Sequence, residues 1–263
     1  MKHLQLHIAD LVATVTLSRP EVRNAFNDEM ISEVTETFNS LATRDDVRCI
    51  VLAANGTAFC AGADLNWMRS MADYTREENL ADAGQLAAMM RTVYECPKPT
   101  IARIQGDVYA GGTGLVAACD MAVAVHTAHF CLSEVKLGLL PSTISPYVLR
   151  AMGARAAHRY FLTAERFNAA EALRIGFVHE VVAPDALDAK VSELSHALVS
   201  AGPDAVRLCK KLVQDVAGVD ITPELVNMTI ASIADVRVSV EGREGLQSFL
   251  QKRKPNWLPK QES

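Results

Sequence analysis

The 263-residue sequence lacks an apolar run long enough to cross a membrane, and its N-terminus alternates polar with apolar residues where a secretory signal is continuously apolar. It also lacks an excess of positive charge, since 26 Lys and Arg stand against 31 Asp and Glu, a net charge of -5. An acidic surface repels nucleic acids and anionic membranes. We therefore predict neither as a partner, which also disfavours an RNA-binding or scaffold protein.

The six cysteines are scattered and form no C-x-x-C pair. Most stand among apolar neighbours, which indicates small core residues with reduced thiols and predicts a cytoplasmic location. The cysteine and histidine spacings predict no metal site. The sequence has no G-x-S-x-G elbow, so a serine triad has no support.

Short apolar or alternating runs predict strands in the first half of the chain. The predicted strands cover residues 1–8, 12–17, 49–53, 100–104, 121–125 and 128–132. A helix is predicted after Asn27, which is a favoured N-cap residue, and helical patterns dominate residues 145–250. The sequence thus predicts an α/β fold with a core over residues 1–200 and a helical region over 201–263.

A turn of small residues, Ala61-Gly62-Ala63, follows the buried strand 49–53 and precedes a helix predicted to begin at Leu65. A ligand can approach the main chain closely there, because amides that enter a helix point outward at the positive end of its dipole. This arrangement suits an oxyanion. Asp64 is predicted to cap the helix rather than to act in catalysis.

A second small-residue turn spans residues 105–114, between the strand 100–104 and a helix predicted to begin at Leu115. The two turns are each able to supply one amide, and an enolate needs two convergent donors. Losing one such donor typically costs about 3 kcal/mol of transition-state stabilisation. The spacing alone does not distinguish an oxyanion site built from these two amides from two ordinary strand-to-helix turns.

Residues 112–117 also fit G-x-G-x-x-A, the dinucleotide fingerprint. That motif requires an acid at the end of the following strand, but this strand ends at His126 without one, and Glu134 lies one strand later. An NAD-dependent oxidoreductase is therefore the weaker alternative.

Glu134 follows an apolar strand, where desolvation raises the pKa of a carboxyl group and allows proton exchange near neutral pH. The alternatives are a helix-entry carboxylate or an ion pair with Lys136 or Arg150. Near the C-terminus, Phe249 and Lys252 belong to a cluster of one aromatic and three cationic residues, for which a solvated tail and a phosphate clamp are both open.

Taken together, these residues resemble the enoyl-CoA hydratase/isomerase family, also called the crotonase superfamily, over nearly the whole chain. The order and spacing of the matching motifs make the resemblance specific. The motifs are Arg19-Pro20, Arg23-Asn24-Ala25-Phe26, residues 59–65, residues 105–112, Cys119-Asp120, Ser133-Glu134, Leu137-Gly138, Pro141, and Phe249 with Lys252-Arg253.

The resemblance implies a spiral of repeated ββα units, a C-terminal helical region that forms trimers or hexamers, and acyl-CoA thioester substrates. It implies no cofactor, because coenzyme A is part of the substrate. By similarity, the amides of Ala63 and Gly111 hold the thioester oxygen beside the acid/base Glu134. The main chain that lines the CoA path is that of Arg23, Ala25, Ala61, Asp64 and Leu65, and Phe249 and Lys252 of a neighbouring subunit close over the nucleotide. The residues predicted to shape the acyl pocket are Trp67, Met68, Tyr109, Leu137 and Leu140.

One departure from the family pattern is Gly114, which stands where hydratases commonly carry a first glutamate. A single carboxyl group is enough to move a proton between carbons, so a double-bond isomerase is the main alternative to a hydratase. The particular residues of these motifs most resemble the bacterial methylglutaconyl-CoA hydratase branch, which includes the isoprenoid-chain glutaconyl-CoA hydratases. That branch tolerates the missing glutamate. That branch implies a role in leucine or acyclic terpene degradation.

Overall fold

The structure, a computed structural model, describes residues 1–258. Its strands are β1 (Leu4–Ala9), β2 (Val12–Leu17), β3 (Cys49–Ala54), β4 (Ala58–Cys60), β5 (Thr100–Ile104), β6 (Asp107–Tyr109), β7 (Met121–Val125), β8 (His129–Cys131), β9 (Phe167–Asn168) and β10 (Glu180–Val182). Its α-helices are α1 (Asp28–Ala42), α2 (Leu65–Met71), α3 (Arg76–Glu95), α4 (Gly111–Ala118), α5 (Ser145–Thr163), α6 (Ala169–Arg174), α7 (Leu187–Ser200), α8 (Pro203–Val216), α9 (Pro223–Val238) and α10 (Val240–Leu250).

The predicted strands are confirmed with small shifts at their ends. The predicted cap of α1 is confirmed as well, because the Asn27 side chain accepts a hydrogen bond from the amide of Met30 at 2.9 Å. The apolar residues that recur at helical spacing along α1 are buried against the core. These are Met30, Val34, Phe38 and Leu41.

The strands form two sheets. The larger sheet has the order β1-β2-β3-β5-β7-β10 and is parallel except for the β1–β2 pair, and the smaller has the order β4-β6-β8-β9 and is parallel except for the β8–β9 pair. Three successive units place their first strand (β3, β5, β7) in the larger sheet and their second strand (β4, β6, β8) in the smaller one. Each pair leads to a helix (α2, α4, α5), so the predicted α/β class with repeated ββα units is confirmed.

Two sequence predictions differ from the structure. Helix α4 begins at Gly111 rather than at Leu115, so its glycines lie inside the helix. The region in which helical patterns dominate also contains β9 and β10, whose partners lie far away in sequence. Helix α3 begins in a polar segment, where Thr75 and Glu78 form a capping box.

The chain divides into two compact units, Met1–Ser195 and His196–Ser263. Both sheets lie in the first unit, and the described part of the second consists of the end of α7 followed by α8, α9 and α10. A role of residues 201–263 in trimerisation stays a prediction. Across residues 1–258, the helices are too short or too polar to traverse a bilayer.

Candidate active site

Three neighbouring strands of the smaller sheet end at the same edge. Strands β4, β6 and β8 are parallel and adjacent, at a spacing of about 4.8 Å per strand. The segments that follow them are 61–63, 110–112 and 132–134. The topology therefore brings the three residues predicted to carry the chemistry, Ala63, Gly111 and Glu134, to one edge of one sheet.

The first turn is held by a β-bridge to Phe26. The Phe26 amide donates to the carbonyl of Gly62 at 2.7 Å, and the Phe26 carbonyl accepts from the amide of Asp64 at 2.8 Å. In a parallel bridge the residue between those two groups directs its own N–H to the opposite side. Within residues 1–258, the amide of Ala63 donates no hydrogen bond, so it is free to bind an oxyanion.

Asp64 is confirmed as the cap of α2, since its side chain accepts from the amide of Asn66 at 2.8 Å. It also pairs with Arg19, whose Nη2 lies 3.0 Å from Asp64 Oδ2, and the two side chains are only 12% and 8% exposed. Burial raises the pKa of this carboxyl, but the hydrogen bonds from Asn66 and Arg19 outweigh it, so the pKa is lowered. Asp64 is thus ionised at neutral pH.

The second turn enters α4 through Ala110, whose φ of 46° and ψ of -121° are unusual for a residue with a side chain. The Ala110 amide donates to the carbonyl of Cys131 at 2.8 Å, which fixes the turn to β8. Gly111 is the first helical residue, and the first amides of a helix have no partner within it. In the described chain this amide donates no hydrogen bond, and its role as the second donor stays a prediction.

The two turns touch each other. A Cβ added at Gly62 would lie 2.9 Å from Ala110 Cβ and 3.8 Å from the amide nitrogen of Gly111. A Cβ added at Gly112 would lie 2.8 Å from Cys60 Cβ. Both glycines are therefore needed for close approach, and the predicted convergence of the two turns is supported by direct contact.

Glu134 opens a short 3-10 segment, Glu134–Leu137, and its Oε2 is buried and accepts no hydrogen bond within residues 1–258. Desolvation raises the pKa of this carboxyl, and the hydrogen bond from its own amide only partly opposes that effect. The alternative of an ion pair with Lys136 or Arg150 is wrong, because across the described chain neither cation comes within 4 Å of it. Arg150 instead donates to the carbonyl of Pro146.

The predicted CoA-path residues surround the first turn. Arg23 is exposed and has a φ of 54°, and its carbonyl accepts from the amide of Ala61 at 3.0 Å. Ala25 is buried, and its carbonyl is occupied by Arg19 Nη1 at 2.6 Å. Leu65 is exposed at the start of α2. Their contribution to CoA binding stays a prediction.

Phe249 and Lys252 lie in the second unit, at and just beyond the end of α10. The Phe249 side chain is 79% exposed, and Lys252 has a φ of 54°. Their proposed place over the nucleotide of a neighbouring subunit stays a prediction.

The residues predicted to shape the acyl pocket differ in burial. Trp67 is buried, and its Nε1 donates to Asp82 at 3.0 Å, whereas Met68 and Tyr109 are half-buried and Leu137 and Leu140 are exposed. The hydrogen bond of Trp67 to Asp82 holds α2 against α3. All five residues stay predictions for contact with an acyl chain.

The cationic Arg166 lies beside Tyr109, with its guanidinium carbon 5.7 Å from the ring centroid. The same guanidinium bonds to Asp107 at 3.0 Å. Burial raises the pKa of the Tyr109 hydroxyl, so this side chain is neutral beside the candidate site.

For two residues near the site, the sequence does not reveal what their side chains contact. Phe26 contacts both turns, and a Cβ added at Gly111 would lie 3.0 Å from its ring atom Cε2. Ile144 fills the space beside Gly114, where an added Cβ would lie 2.6 Å from Ile144 Cβ. Both contacts join segments far apart in the chain, so no local periodicity reveals them.

The dinucleotide alternative loses its geometric basis. Gly112 and Gly114 are buried within α4 and do not form the loop before the helix that a pyrophosphate needs. Among residues 1–258, no group of three or more His, Cys, Asp or Glu side chains is arranged to hold a metal ion.

Comparison with known proteins places these features in a family. The model of the enoyl-CoA hydratase/isomerase family matches residues 7–260. An enoyl-CoA hydratase structure from Shewanella pealeana is 44% identical with a TM-score of 0.94, covering 97% of this chain and 96% of that one. One from Mycobacterium smegmatis is 35% identical with a TM-score of 0.91, covering 97% and 98%. The crotonyl-CoA hydratase of Syntrophomonas wolfei is 29% identical, covering 98% and 99%.

Proposed function

The chain belongs to the enoyl-CoA hydratase/isomerase family, and on that premise we propose that it adds water across the double bond of an α,β-unsaturated acyl-CoA thioester. It is an enzyme of the crotonase superfamily. The observation that carries the proposal is the placement of two unused amides and one buried carboxyl group at the ends of three adjacent strands.

The two amides suit the charge that forms during such a reaction. Attack at C3 of the thioester moves the π electrons toward the carbonyl and produces an enolate oxygen. The amides of Ala63 and Gly111 would donate to that oxygen, and preorganised donors stabilise the transition state because they need no reorganisation at the moment of reaction.

Glu134 would move the proton. As carboxylate it takes a proton from water while the water oxygen bonds to C3, and the C2–C3 π pair becomes the enolate. The protonated Glu134 then gives a proton to C2, which restores the thioester carbonyl and the carboxylate. A raised pKa suits this cycle, because it makes the carboxylate a stronger base than an exposed glutamate.

A double-bond isomerase is the second candidate, and one observation favours it. Glu134 lacks the second glutamate that hydratases of the family commonly carry, because that place is taken by Gly114, which packs against Ile144. In an isomerase the same carboxylate would take a proton from C2 of a 3-enoyl thioester and return it to C4, with the same enolate held by the two amides.

For the acyl chain we propose a branched or dicarboxylic enoyl group of the methylglutaconyl or isoprenoid-glutaconyl kind. The residues of the matching motifs support this class. Arg166, which lies beside Tyr109, is a candidate cation for a terminal carboxylate, although Asp107 partly neutralises the charge of Arg166. Leucine or terpene degradation would follow from such a substrate. The relative hydration rates of dicarboxylic and linear thioesters test this choice.

We further propose that the chain forms trimers or hexamers through its second unit. Helices α8 and α9 bury none of their residues, although both carry apolar side chains. The exposed apolar side chains of the second unit include Val213 on α8, Ile221 just before α9, Ile230 and Ile233 on α9, and Val240 and Leu246 on α10. Such a surface is typical of subunit interfaces, and a sedimentation mass equal to one 28.5 kDa chain would contradict the proposal. A cytoplasmic location is also proposed, which suits six cysteines that form no disulfide within residues 1–258, five of them buried.

The deciding experiment combines a substrate panel with Glu134→Gln. We expect hydration of linear, branched or dicarboxylic 2-enoyl-CoA thioesters, and a loss of about 10²–10⁴-fold in kcat for the variant, the range of general acid–base catalysis. Binding of coenzyme A should be unchanged. Wild-type activity should fall with acid at a pH above the ordinary carboxyl range, because the pKa of Glu134 is raised.

The matched control is Glu36→Gln, which neutralises an exposed carboxylate on α1. A Glu134→Gln variant with more than a tenth of normal activity would contradict the assigned role. If neither crotonyl-CoA nor 3-methylglutaconyl-CoA is hydrated while a 3-enoyl-CoA is isomerised, the protein is an isomerase.

A further inference from the structure

We propose that Phe26 is a positioning residue that sets the distance between the two oxyanion-binding amides. This inference rests on the proposed function, since it assumes that Ala63 and Gly111 act on one oxygen. Phe26 itself is only 1% exposed, so we assign it the positioning of neighbouring groups.

The main chain of Phe26 holds the first donor. Its amide and carbonyl bond to Gly62 and Asp64, the residues on either side of Ala63, at 2.7 and 2.8 Å. These two bonds fix both the position of the Ala63 peptide and the direction of its N–H, because each neighbouring peptide plane is anchored at one atom.

The side chain of Phe26 holds the second donor. Ring atoms Cε2 and Cδ2 would lie 3.0 and 3.2 Å from a Cβ at Gly111, so the ring packs directly against the α-carbon that follows the donor nitrogen. A flat, fully buried ring is a rigid spacer, since close-packed interiors transmit small displacements. Phe26 thus contacts the segments of both donors, one through its backbone and one through its ring.

The segment before Phe26 is itself clamped. Asn24 is fully buried with a φ of 54°, and its side-chain nitrogen donates to the carbonyls of Asn55 at 2.8 Å and Ala58 at 3.0 Å. Its side-chain oxygen accepts from the amide of Arg19 at 2.8 Å. Phe26 is therefore a fixed reference between the turns rather than a side chain that follows their movement.

The test uses Phe26→Leu, which keeps the backbone bridge and a buried apolar side chain but removes the ring beneath Gly111. Phe38→Leu is the matched control, because Phe38 is equally buried but lies on α1 among core residues. We expect the two variants to lose similar amounts of thermal stability. For Phe26→Leu alone we expect kcat to fall about 10–100-fold with little change in KM, since a displacement of about 1 Å in a catalytic group can cost 10²-fold.

Two binding probes separate positioning from general damage. A chromophoric enoyl-CoA, whose absorption moves to longer wavelength when its carbonyl is polarised, should show a smaller shift on Phe26→Leu than on wild type or Phe38→Leu. A CoA thioether, which lacks the thioester carbonyl oxygen, should bind all three proteins alike. If Phe26→Leu proves too unstable, Phe26→Met fills a similar volume without a flat ring and should give the same pattern.

The outcomes are distinguishable. An unchanged absorption shift, or a kcat loss no larger than that of Phe38→Leu, would overturn the role of Phe26. A wild type that polarises the carbonyl without hydrating any thioester would overturn the hydratase proposal but still test Phe26 through the shift. A wild type that binds the chromophoric thioester with no shift would overturn both.

Discussion

The two turns that meet at the candidate site are predicted to do the same task, yet they are built differently. The first, Ala61 to Ala63, is fixed by a buried ion pair in which Arg19 reaches Asp64 from 45 positions earlier in the chain. The second, Ala110 to Gly112, has no charged group. Thr113 Oγ1 and the Thr113 amide donate to the Ala110 carbonyl at 2.6 and 2.9 Å, and the Ala110 amide donates to the Cys131 carbonyl at 2.8 Å. Close packing against Gly62 and Phe26 completes the support of this turn.

This difference determines which perturbations each turn resists. An ion pair depends on the ionisation of its members and therefore on pH, whereas close packing depends on side-chain size. A change of size should accordingly disturb the contact between the turns most, and a change of charge should disturb the first turn alone.

The largest effect is expected where the turns touch. Gly62→Ala places a Cβ 2.9 Å from Ala110 Cβ at a residue whose φ is 87°, so the backbone is strained and the turns are pushed apart. We expect kcat to fall by about 100-fold or more, as for a misplaced oxyanion donor. The measurement is steady-state hydration of the best thioester in the panel.

Two comparisons sharpen that result. Gly84→Ala in α3 places its Cβ in open space and should leave activity unchanged. Adding Ala110→Gly to Gly62→Ala removes the contact between the two Cβ atoms but not the strain at residue 62, so activity should recover in part. If the double variant is no better than Gly62→Ala, the steric contact between the turns is not the cause.

A smaller effect is expected from the ion pair, and it should appear first as lost stability. Arg19→Met leaves Asp64 buried without its cation, and breaking a buried pair from one side costs about 3–5 kcal/mol. Urea unfolding at neutral pH measures this loss. Arg19→Lys should be intermediate, because lysine keeps the charge but lacks the fork that also reaches the Ala25 carbonyl.

The stability loss of Arg19→Met should depend on pH, and the lowered pKa of Asp64 gives the direction of that dependence. The lowered pKa of Asp64 means that its stabilising contribution is present above its unfolded pKa and is lost as pH falls through its folded pKa. Without Arg19, desolvation raises the folded-state pKa of Asp64. In the variant, protonation of Asp64 therefore begins at a higher pH and removes the cost of a buried, unpaired charge. The gap in unfolding free energy between wild type and Arg19→Met should therefore narrow in acid, and a gap that widens would contradict the assignment.

The sequence predicts the features of the two turns that depend on neighbouring residues, but not those that depend on distant segments. The strand after residue 49, the cap at Asp64 and the burial of Glu134 all follow from patterns within ten residues, and the structure agrees with them. The sequence predicts too late a start for α4, because Gly112 and Gly114 are typical turn residues. In the structure both glycines are helical, and their lack of side chains allows close contact with Cys60 at the end of β4 and Ile144 before α5.

What the sequence does not predict depends on residues far apart in the chain. The pairing of Arg19 with Asp64 and the contact of the Phe26 ring with Gly111 join segments that only the folded sheets bring together. The short strand β10 depends in the same way on β7 as its partner. Local periodicity reports which face of an element is buried, but not against what.

The smallest expected effect concerns the strain of the second turn. Ala110 holds a φ of 46° and a ψ of -121°, and such a backbone costs a residue with a side chain on the order of 1–3 kcal/mol. Ala110→Gly relieves that strain but adds about 0.5–1 kcal/mol of unfolded-state entropy. We expect a net gain of about 1 kcal/mol, seen as a rise of roughly 2–4 °C in Tm.

Ala87→Gly, in the middle of α3, is the matched control and should lose about 1 kcal/mol, because glycine disfavours a regular helix. Opposite signs for the two substitutions would place the strain at Ala110 itself. If Ala110→Gly also lowers kcat, the strained alanine helps to direct the Gly111 amide. The orientation of the donor would then depend on backbone strain in the second turn and on an ion pair in the first. If kcat is unchanged, packing against Phe26 and Gly62 is sufficient to hold that donor.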